Sequence, residues 1–364
     1  MLFGCAGFPS FQLRALACAL AISIVALGTS VGAHAADRFD TTVRLGGVLT
    51  QFVFFSDGDE APTENINPVG QFHYSRLFVD ARTEISDSVY VRGYARLVVN
   101  NWSTTNAEES YVEVGSPYGN VQVGVRKPFN NTSLRFPAPQ AFLAVGDEIF
   151  SAMVVPRTNI PQRDGLTFKR FISRSLGVAY QTPRLSGLQV AVGYYPTNNS
   201  TEGPVDTQTS NHNAVDISAN YEFRLAQSVV QIYGGYFDME TPLADGSGTK
   251  AWNASLQWRN ADWDIGGAVI SARLDNGARD FAWTVGILRR LGSFTVSTDY
   301  RSSNRRPSKG MPVGEYADRI MFQTDYRLAP GISVGVAGFF AEQRDINSNV
   351  WQSKGGTVGI KLVF

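Results

Sequence analysis

Side chains that commonly catalyse reactions or hold metals are scarce in this chain. Its two cysteines, Cys5 and Cys18, both lie near the N-terminus. His34 lies there too, while His73 and His212 are far from any other histidine or cysteine. Zinc and thiol sites need such residues close together, and a serine hydrolase needs a histidine beside its nucleophile. We therefore expect no enzyme activity, no metal centre and no cofactor.

Arginine, in contrast, recurs at alternate positions in segments that read as β-strands. In residues 88–101, Arg92 and Arg96 alternate with the apolar Ala95 and Leu97. A strand sends successive side chains to opposite faces, so these segments have one charged face and one apolar face. The arginines on the charged faces of the first three segments are Arg44, Arg76, Arg82, Arg92 and Arg96.

The N-terminal residues have the pattern of an export signal. Arg14 precedes the apolar run 15–27, which is shorter than the roughly 20 residues of a transmembrane helix, and Ala33-His34-Ala35 fits a cleavage site. We predict a signal peptide over 1–35 and a mature domain over 36–364, with a lipid anchor on Cys18 as the alternative. Without Arg14, the mature chain has 31 basic and 32 acidic residues, a balance that argues against nucleic-acid partners.

The mature chain divides into about sixteen segments in which apolar and polar residues alternate. Most exceed the average globular strand of about 5–6 residues and suit a tilted strand that crosses a membrane. The predicted strands are 40–55, 70–84, 88–101, 107–115, 119–127, 173–182, 187–196, 211–224, 228–239, 249–259, 262–272, 280–290, 293–303, 314–327, 331–343 and 350–364.

Short and long connections alternate between these segments. Residues 183–186 and 291–292 are short connections, whereas 56–69 and 197–210 are long and polar. Outer-membrane barrels have tight turns on the periplasmic side and longer loops outside. Acidic residues at 57–60 could bind Ca²⁺ in one outer loop or form a solvated tip.

The final strand ends on Phe364, the last residue, and its edge would be exposed unless it paired with the first strand. We therefore predict an all-β fold, a closed transmembrane antiparallel β-barrel. A soluble two-sheet sandwich shares the period of two and is the alternative. Aromatic residues near strand ends predict interfacial girdles. These residues are Phe52, Phe54, Phe55, Tyr194, Tyr195, Tyr236, Phe237, Trp258, Trp263, Phe339 and Phe340.

Residues 128–172 form a connection far longer than any other in the chain. Connections beyond about 12–15 residues usually carry function or are disordered. This one contains apolar residues such as Phe142 and Ile149, and stiffening prolines such as Pro137 and Pro156. So much apolar surface must pack against something, and the lumen is the large enclosed space of such a barrel. We predict that the segment folds inward and narrows the lumen.

Two runs resemble a known family. EESYVEVGSPYGNVQVGVRKPF (108–129) is similar to the strand–turn–strand element before the constriction loop of general Gram-negative porins, particularly alphaproteobacterial ones. GVAYQTPRLSGLQVAVGYYP (177–196) resembles the hairpin after that loop, and the terminal Phe364 matches the family's C-terminal signal. The resemblance implies a water-filled, trimeric channel in the bacterial outer membrane, surrounded by lipid.

In such porins, carboxylates on the inward loop face a row of arginines on the wall. The resemblance therefore implies a pore constriction formed by Asp147 and Glu148 of the long segment and by the five arginines given above. Opposed rows of charge set up a transverse field, and rings of charge are how pores select ions. The alternative is that these inward charges only solvate a wet lumen or pair with Asp80, Glu84, Glu109 and Glu113.

The leading functional hypothesis is passive diffusion of small hydrophilic solutes and ions through an outer-membrane porin. An anion- or phosphate-selective channel is the runner-up, since the arginines could bind such solutes. A surface structure or adhesin that acts through its outer loops is the third hypothesis. Single-channel conductance distinguishes the three.

Overall fold

Sixteen antiparallel strands make up almost all of the protein that can be described. The computed structural model describes residues 41–58, 69–100, 103–130, 175–197, 212–240, 248–274, 277–306, 315–344 and 348–364. The strands are β1 Thr41–Gly58, β2 Val69–Ser86, β3 Val89–Asn100, β4 Ser103–Ser116, β5 Gly119–Arg126, β6 Ser175–Gln181, β7 Leu188–Thr197, β8 His212–Leu225, β9 Ser228–Glu240, β10 Gly248–Arg259, β11 Trp263–Arg273, β12 Arg279–Leu291, β13 Phe294–Arg306, β14 Glu315–Ala329, β15 Ile332–Arg344 and β16 Val350–Val363. The described residues contain no helix that is long and apolar enough to span a membrane.

The sheet closes on itself, as the C-terminal strand predicts. Each strand pairs with its neighbours in sequence, and β1 pairs with β16 in a register that sets Val48 opposite Val363. The Gly47 amide donates to the Phe364 carbonyl at 2.9 Å, and the Phe364 amide donates to Gly47 at 3.1 Å. A Cβ added to Gly47 would lie 2.8 Å from the Phe364 ring, so glycine gives the terminal aromatic side chain its place. Closure leaves no unpaired edge.

The predicted boundaries agree with the observed ones closely, except at β4. This strand begins at Ser103, whereas alternation predicts a start at residue 107. The β3–β4 register shifts between Arg96 and Leu97 and again between Val98 and Asn100. Each bulge adds a residue on one strand and breaks the period of two, which explains why the pattern cannot be read through this region.

Tight turns gather at one end of the barrel. Five hairpins at this end have two-residue turns between their strands, at 87–88, 117–118, 226–227, 292–293 and 330–331. The opposite end carries the longer connections, including the one between β5 and β6, of which residues 127–130 are described. This is the asymmetry of outer-membrane barrels, and it assigns the end with long connections to the outside.

Apolar and polar side chains sort to opposite faces as predicted. On β14, Phe322 is 57% exposed on the outer surface, whereas Arg319 and Gln323 are buried on the inner one. On β16, Val358 is exposed and its neighbour Thr357 is buried. The middle of the outer wall is therefore apolar, and charged side chains such as Arg319 point into the lumen. Charged residues on the outer surface, such as Lys250 and Lys354, lie near the strand ends.

The predicted aromatic girdle is wrong for five residues. Phe55, Tyr236 and Phe340 are exposed on the outer surface. Inner and outer positions alternate along a strand, so the residues next to these three, Phe54, Phe237 and Phe339, are buried on the inner face. The five inward residues are Phe52, Phe54, Tyr195, Phe237 and Phe339.

Candidate functional site

The predicted arginines all project from the inner faces of β1, β2 and β3. Strand register places Arg44 opposite Asp80, and Arg82 opposite Arg92. The Arg92 guanidinium binds both oxygens of Asp80, with Nε–Oδ1 at 2.7 Å and Nη2–Oδ2 at 2.9 Å. Such two-point contacts hold a guanidinium in a fixed orientation. Arg92 and Asp80 therefore face the lumen as an ion pair whose charges neutralise each other.

Arg82 and Tyr90 form the next layer on this wall. The Arg82 guanidinium carbon lies 3.7 Å from the centroid of the Tyr90 ring, and its Nε is 2.6 Å from Glu84 Oε1. The Tyr90 hydroxyl donates to Glu113 at 2.7 Å. Tyr94 and Tyr111 pack with ring centroids 5.3 Å apart deeper in the wall. Aromatic faces thus keep the arginines in defined positions.

A buried acid, Glu108, is the centre of the cluster and was not predicted as a site residue. Its side chain is 0% exposed, with Arg96 Nε at 2.8 Å, Arg76 Nε at 3.3 Å and Lys127 Nζ at 2.7 Å. Arg96 also pairs with the adjacent Glu109. Strict alternation would turn Glu108 outward, but the bulge opposite Arg96 brings both glutamates to the inner face. The sequence does carry a sign of this bulge: Glu108 and Glu109 are consecutive acidic residues in a strand, where charged and apolar residues would otherwise alternate.

The cluster continues along β5. Gln122 donates to Glu113, and Arg126 donates to Gln122. The Arg126 guanidinium carbon lies 3.8 Å from the centroid of the Phe129 ring, and the Lys127 amide donates to Glu109 Oε1 at 3.1 Å. Neither Arg126 nor Lys127 was predicted as a site residue, yet both add positive charge to this wall.

Asn130 connects β5 to strands further round the barrel. Its backbone amide donates to Asp216 Oδ2 at 3.0 Å, and its side-chain amide donates to the Tyr236 carbonyl at 2.8 Å. The Tyr233 hydroxyl donates to Asn130 Oδ1 at 2.6 Å. Asn130, Asp216 and Phe129 are all buried. The start of the long connection therefore lies inside the barrel and is hydrogen-bonded to β8 and β9.

The predicted acids of the constriction, Asp147 and Glu148, lie outside the described residues, as do residues 1–35 of the predicted signal peptide. A second inward cluster lies on β12, β13 and β14. Asp299 there binds Arg319 at 2.9 Å and Arg301 at 3.4 Å. On the same wall, Arg305 binds Asp280 at 2.7 Å. Both inner walls thus carry mixed and closely paired charges.

One sequence pattern and one search for ligand groups bear on hydrolase and metal chemistry. The pattern G-x-S-x-G, which in hydrolases forms a strand-to-helix elbow, occurs at 331–335, where it spans the turn into β15. Within the described ranges, no group of three or more His, Cys, Asp or Glu side chains could hold a metal ion.

Residues 17–346 match the family described as Gram-negative porin. The chain belongs to this family. Its members reside in the bacterial outer membrane, and the family and the closed barrel together identify the chain as an outer-membrane channel. No curated protein matches the sequence significantly.

Solved outer-membrane proteins have the same fold at low sequence identity. OmpF of Salmonella typhi, in a complex with daunomycin, has a TM-score of 0.66 and 10% identity, over 88% of this chain and 97% of that one. The anion-selective porin from Comamonas acidovorans has a TM-score of 0.61 and 14% identity, over 89% and 100%. The trimer form of OmpT from Vibrio cholerae has a TM-score of 0.61 and 12% identity, over 89% and 99%.

Proposed function

We propose that this porin is a diffusion channel for small hydrophilic solutes and ions, with a weak preference for anions. The observation that carries the proposal is the pairing of inward charges. Arg92 is neutralised by Asp80, and Arg96 by Glu108 and Glu109. Closely paired charges have short-range fields, so they filter solutes by charge only near the wall. A site with strong selectivity for anions would need basic side chains that are not already paired with carboxylates and can therefore bind the anion.

The preference for anions follows from the balance of charge on the wall of β1 to β5. Described basic residues outnumber acidic ones on this inner wall, and the excess raises the local concentration of anions. The basic residues are Arg44, Arg76, Arg82, Arg92, Arg96, Arg126 and Lys127, and the acidic ones are Asp80, Glu84, Glu108, Glu109 and Glu113. An anion- or phosphate-selective channel is the second candidate, favoured by this excess and by the fold shared with an anion-selective porin.

The proposal includes the long segment as the constriction. Because Asn130 is buried and forms hydrogen bonds with β8 and β9, the chain after it starts from inside the barrel. Asp147 and Glu148 would then face the arginine wall, which gives the transverse field described above. We also propose a homotrimer, since OmpT of Vibrio cholerae, an outer-membrane protein of the same fold, is recorded in a trimer form. Cross-linking of the protein in native membranes tests the trimer.

Ion selectivity tests the assignment of the wall. We expect Arg92→Gln with Arg96→Gln to shift the cation-to-anion permeability ratio towards cations by about twofold or more. The reason is that Asp80, Glu108 and Glu109 lose the guanidinium groups that neutralise them. The reversal potential across a bilayer under a KCl gradient measures the ratio.

The matched control is Arg289→Gln with Lys354→Gln, which removes the same charge from the outer surface. We expect this control to keep the wild-type ratio. An unchanged ratio in the Arg92 and Arg96 variant would mean that these arginines do not line the ion path. A small conductance that micromolar phosphate blocks would instead support the selective channel.

A further inference from the structure

Three aromatic side chains lie next to one another on the lumen-facing wall of β2, β3 and β4. Phe78 and Tyr94 have ring centroids 6.3 Å apart and planes inclined by 24°, and Tyr94 and Tyr111 have centroids 5.3 Å apart and planes inclined by 35°. The register sets Tyr94 directly opposite Tyr111. All three side chains are partly exposed. We call these three residues the aromatic strip.

The aromatic strip ends at a glycine on each side. Phe78 lies opposite Gly46 of β1, and a Cβ added to Gly46 would overlap the tip of the Phe78 ring, so this ring lies along the wall. Tyr111 lies opposite Gly124 of β5. Neighbouring strands are about 4.8 Å apart, so the strip spans roughly 10 Å from β2 to β4. Because the strip is on the inner face, contact with lipid does not explain its aromatic residues.

An ion pair borders the aromatic strip on the side of the tight turns. The Arg92 guanidinium carbon lies 5.3 Å from the centroid of the Tyr94 ring, and Arg92 donates two hydrogen bonds to Asp80. A guanidinium has five N–H donors, and an ionised carboxylate has about four acceptor sites. The pair can therefore donate hydrogen bonds to the hydroxyl groups of a solute and also accept hydrogen bonds from them.

The charges at this level of the wall balance one another. The described residues here are three basic and three acidic ones, Arg44, Arg82, Arg92, Asp80, Glu84 and Glu113. The excess of basic residues lies further out, around Glu108. A solute that contacts the aromatic strip therefore meets hydrogen-bonding groups without a large net charge, which favours an uncharged solute over an ion.

We infer that the aromatic strip binds the ring of a neutral sugar as the sugar passes through the channel. A pyranose ring has apolar C–H faces that pack on aromatic rings, and a rim of hydroxyl groups that both donate and accept hydrogen bonds. Binding sites for small molecules combine an apolar surface with a few placed polar groups in the same way. The inference rests on the proposed diffusion channel and names one class of solute that this channel favours.

The experiment measures how maltotriose, a neutral sugar of three glucose rings, reduces the ion current through the folded mature protein in planar bilayers. We expect a block that saturates with concentration in the wild type. Tyr94→Leu with Tyr111→Leu should raise the half-blocking concentration about tenfold, because two aromatic contacts are lost. Tyr94→Phe with Tyr111→Phe keeps both rings and should stay within about twofold of the wild type.

The matched control is Tyr221→Leu with Phe223→Leu. These two residues form an aromatic pair on the outer surface of β8, with ring centroids 5.6 Å apart. The control removes two rings without changing the lumen, so its half-blocking concentration should equal that of the wild type. Heat-modifiable migration on a gel verifies that each variant is folded. The wild type is also tested with sorbitol, a linear polyol, so this comparison decides the result even if the leucine variant does not fold.

Three results would overturn the inference. A current that falls linearly with maltotriose, equally in all variants, would reflect bulk viscosity and no binding. Equal block by sorbitol would show that the sugar ring is not recognised. Stronger block by benzoate would assign the aromatic strip to aromatic anions. Each of these results leaves the diffusion channel standing, whereas a folded wild-type barrel that carries no current would contradict both the channel and the inference.

Discussion

Glu108→Gln is expected to lower the free energy of unfolding by about 3 kcal/mol, because the substitution leaves buried cations without their shared counter-charge. Glu108 is fully buried, and Arg76, Arg96 and Lys127 all lie within 3.3 Å of its oxygens. The amide that replaces the carboxylate keeps the volume and loses the charge. Urea unfolding of the protein in lipid vesicles, followed by heat-modifiable migration, measures the difference.

The control for this prediction is Glu84→Gln. Glu84 pairs with Arg82, but both side chains are about half exposed, so the pair should contribute less than about 1 kcal/mol. Each variant removes one negative charge from the same wall, and each should make the channel more selective for anions. Equal stability of Glu108→Gln and the wild type would show that the cluster does not hold the wall together.

Gly235→Ala is expected to release Asn130 and to lower the free energy of unfolding by about 2–4 kcal/mol. A Cβ added to Gly235 would overlap with the side-chain oxygen of Asn130. Displacing Asn130 leaves the buried Asp216 and the Tyr233 hydroxyl without the hydrogen bonds that they make to it. Since the long connection leaves from Asn130, we also expect a larger and noisier single-channel conductance.

The neighbouring glycine is a matched control. A Cβ added to Gly234 would have the Asn253 carbonyl oxygen as its nearest neighbour, at 3.9 Å, so alanine fits there. Gly234→Ala should be neutral or stabilise the barrel by about 0.5 kcal/mol, since alanine restricts the unfolded chain. If both substitutions leave stability and conductance as in the wild type, Asn130 does not anchor the connection.

Alternation predicted the strands and their facing because the barrel places lipid on one side of every strand. Every second residue of a strand therefore faces lipid and is apolar, as Phe322 on β14 and Val358 on β16 are. The same alternation sends the neighbouring aromatic residues Phe54 and Phe55 to opposite faces, so the two cannot both belong to an outer girdle. Closure through Phe364 was predicted because an unpaired final strand would expose its edge.

The site was predicted less completely than the fold. The inward direction of Arg92 and Arg96 follows from alternation, but their partners depend on how neighbouring strands align. Glu108 escaped prediction because a bulge interrupts the period of two. Asn130 escaped because its partners, Asp216 and Tyr236, are distant in the sequence and meet it through closure of the barrel. The roles of Asp147 and Glu148 stay a prediction.

Single-channel recording in planar lipid bilayers tests the central claim most directly. The purified mature chain, folded as judged by heat-modifiable migration, should insert and give stepwise, ohmic current increments in KCl, with a weak preference for anions. A folded barrel that inserts into the bilayer and carries no current would contradict the account.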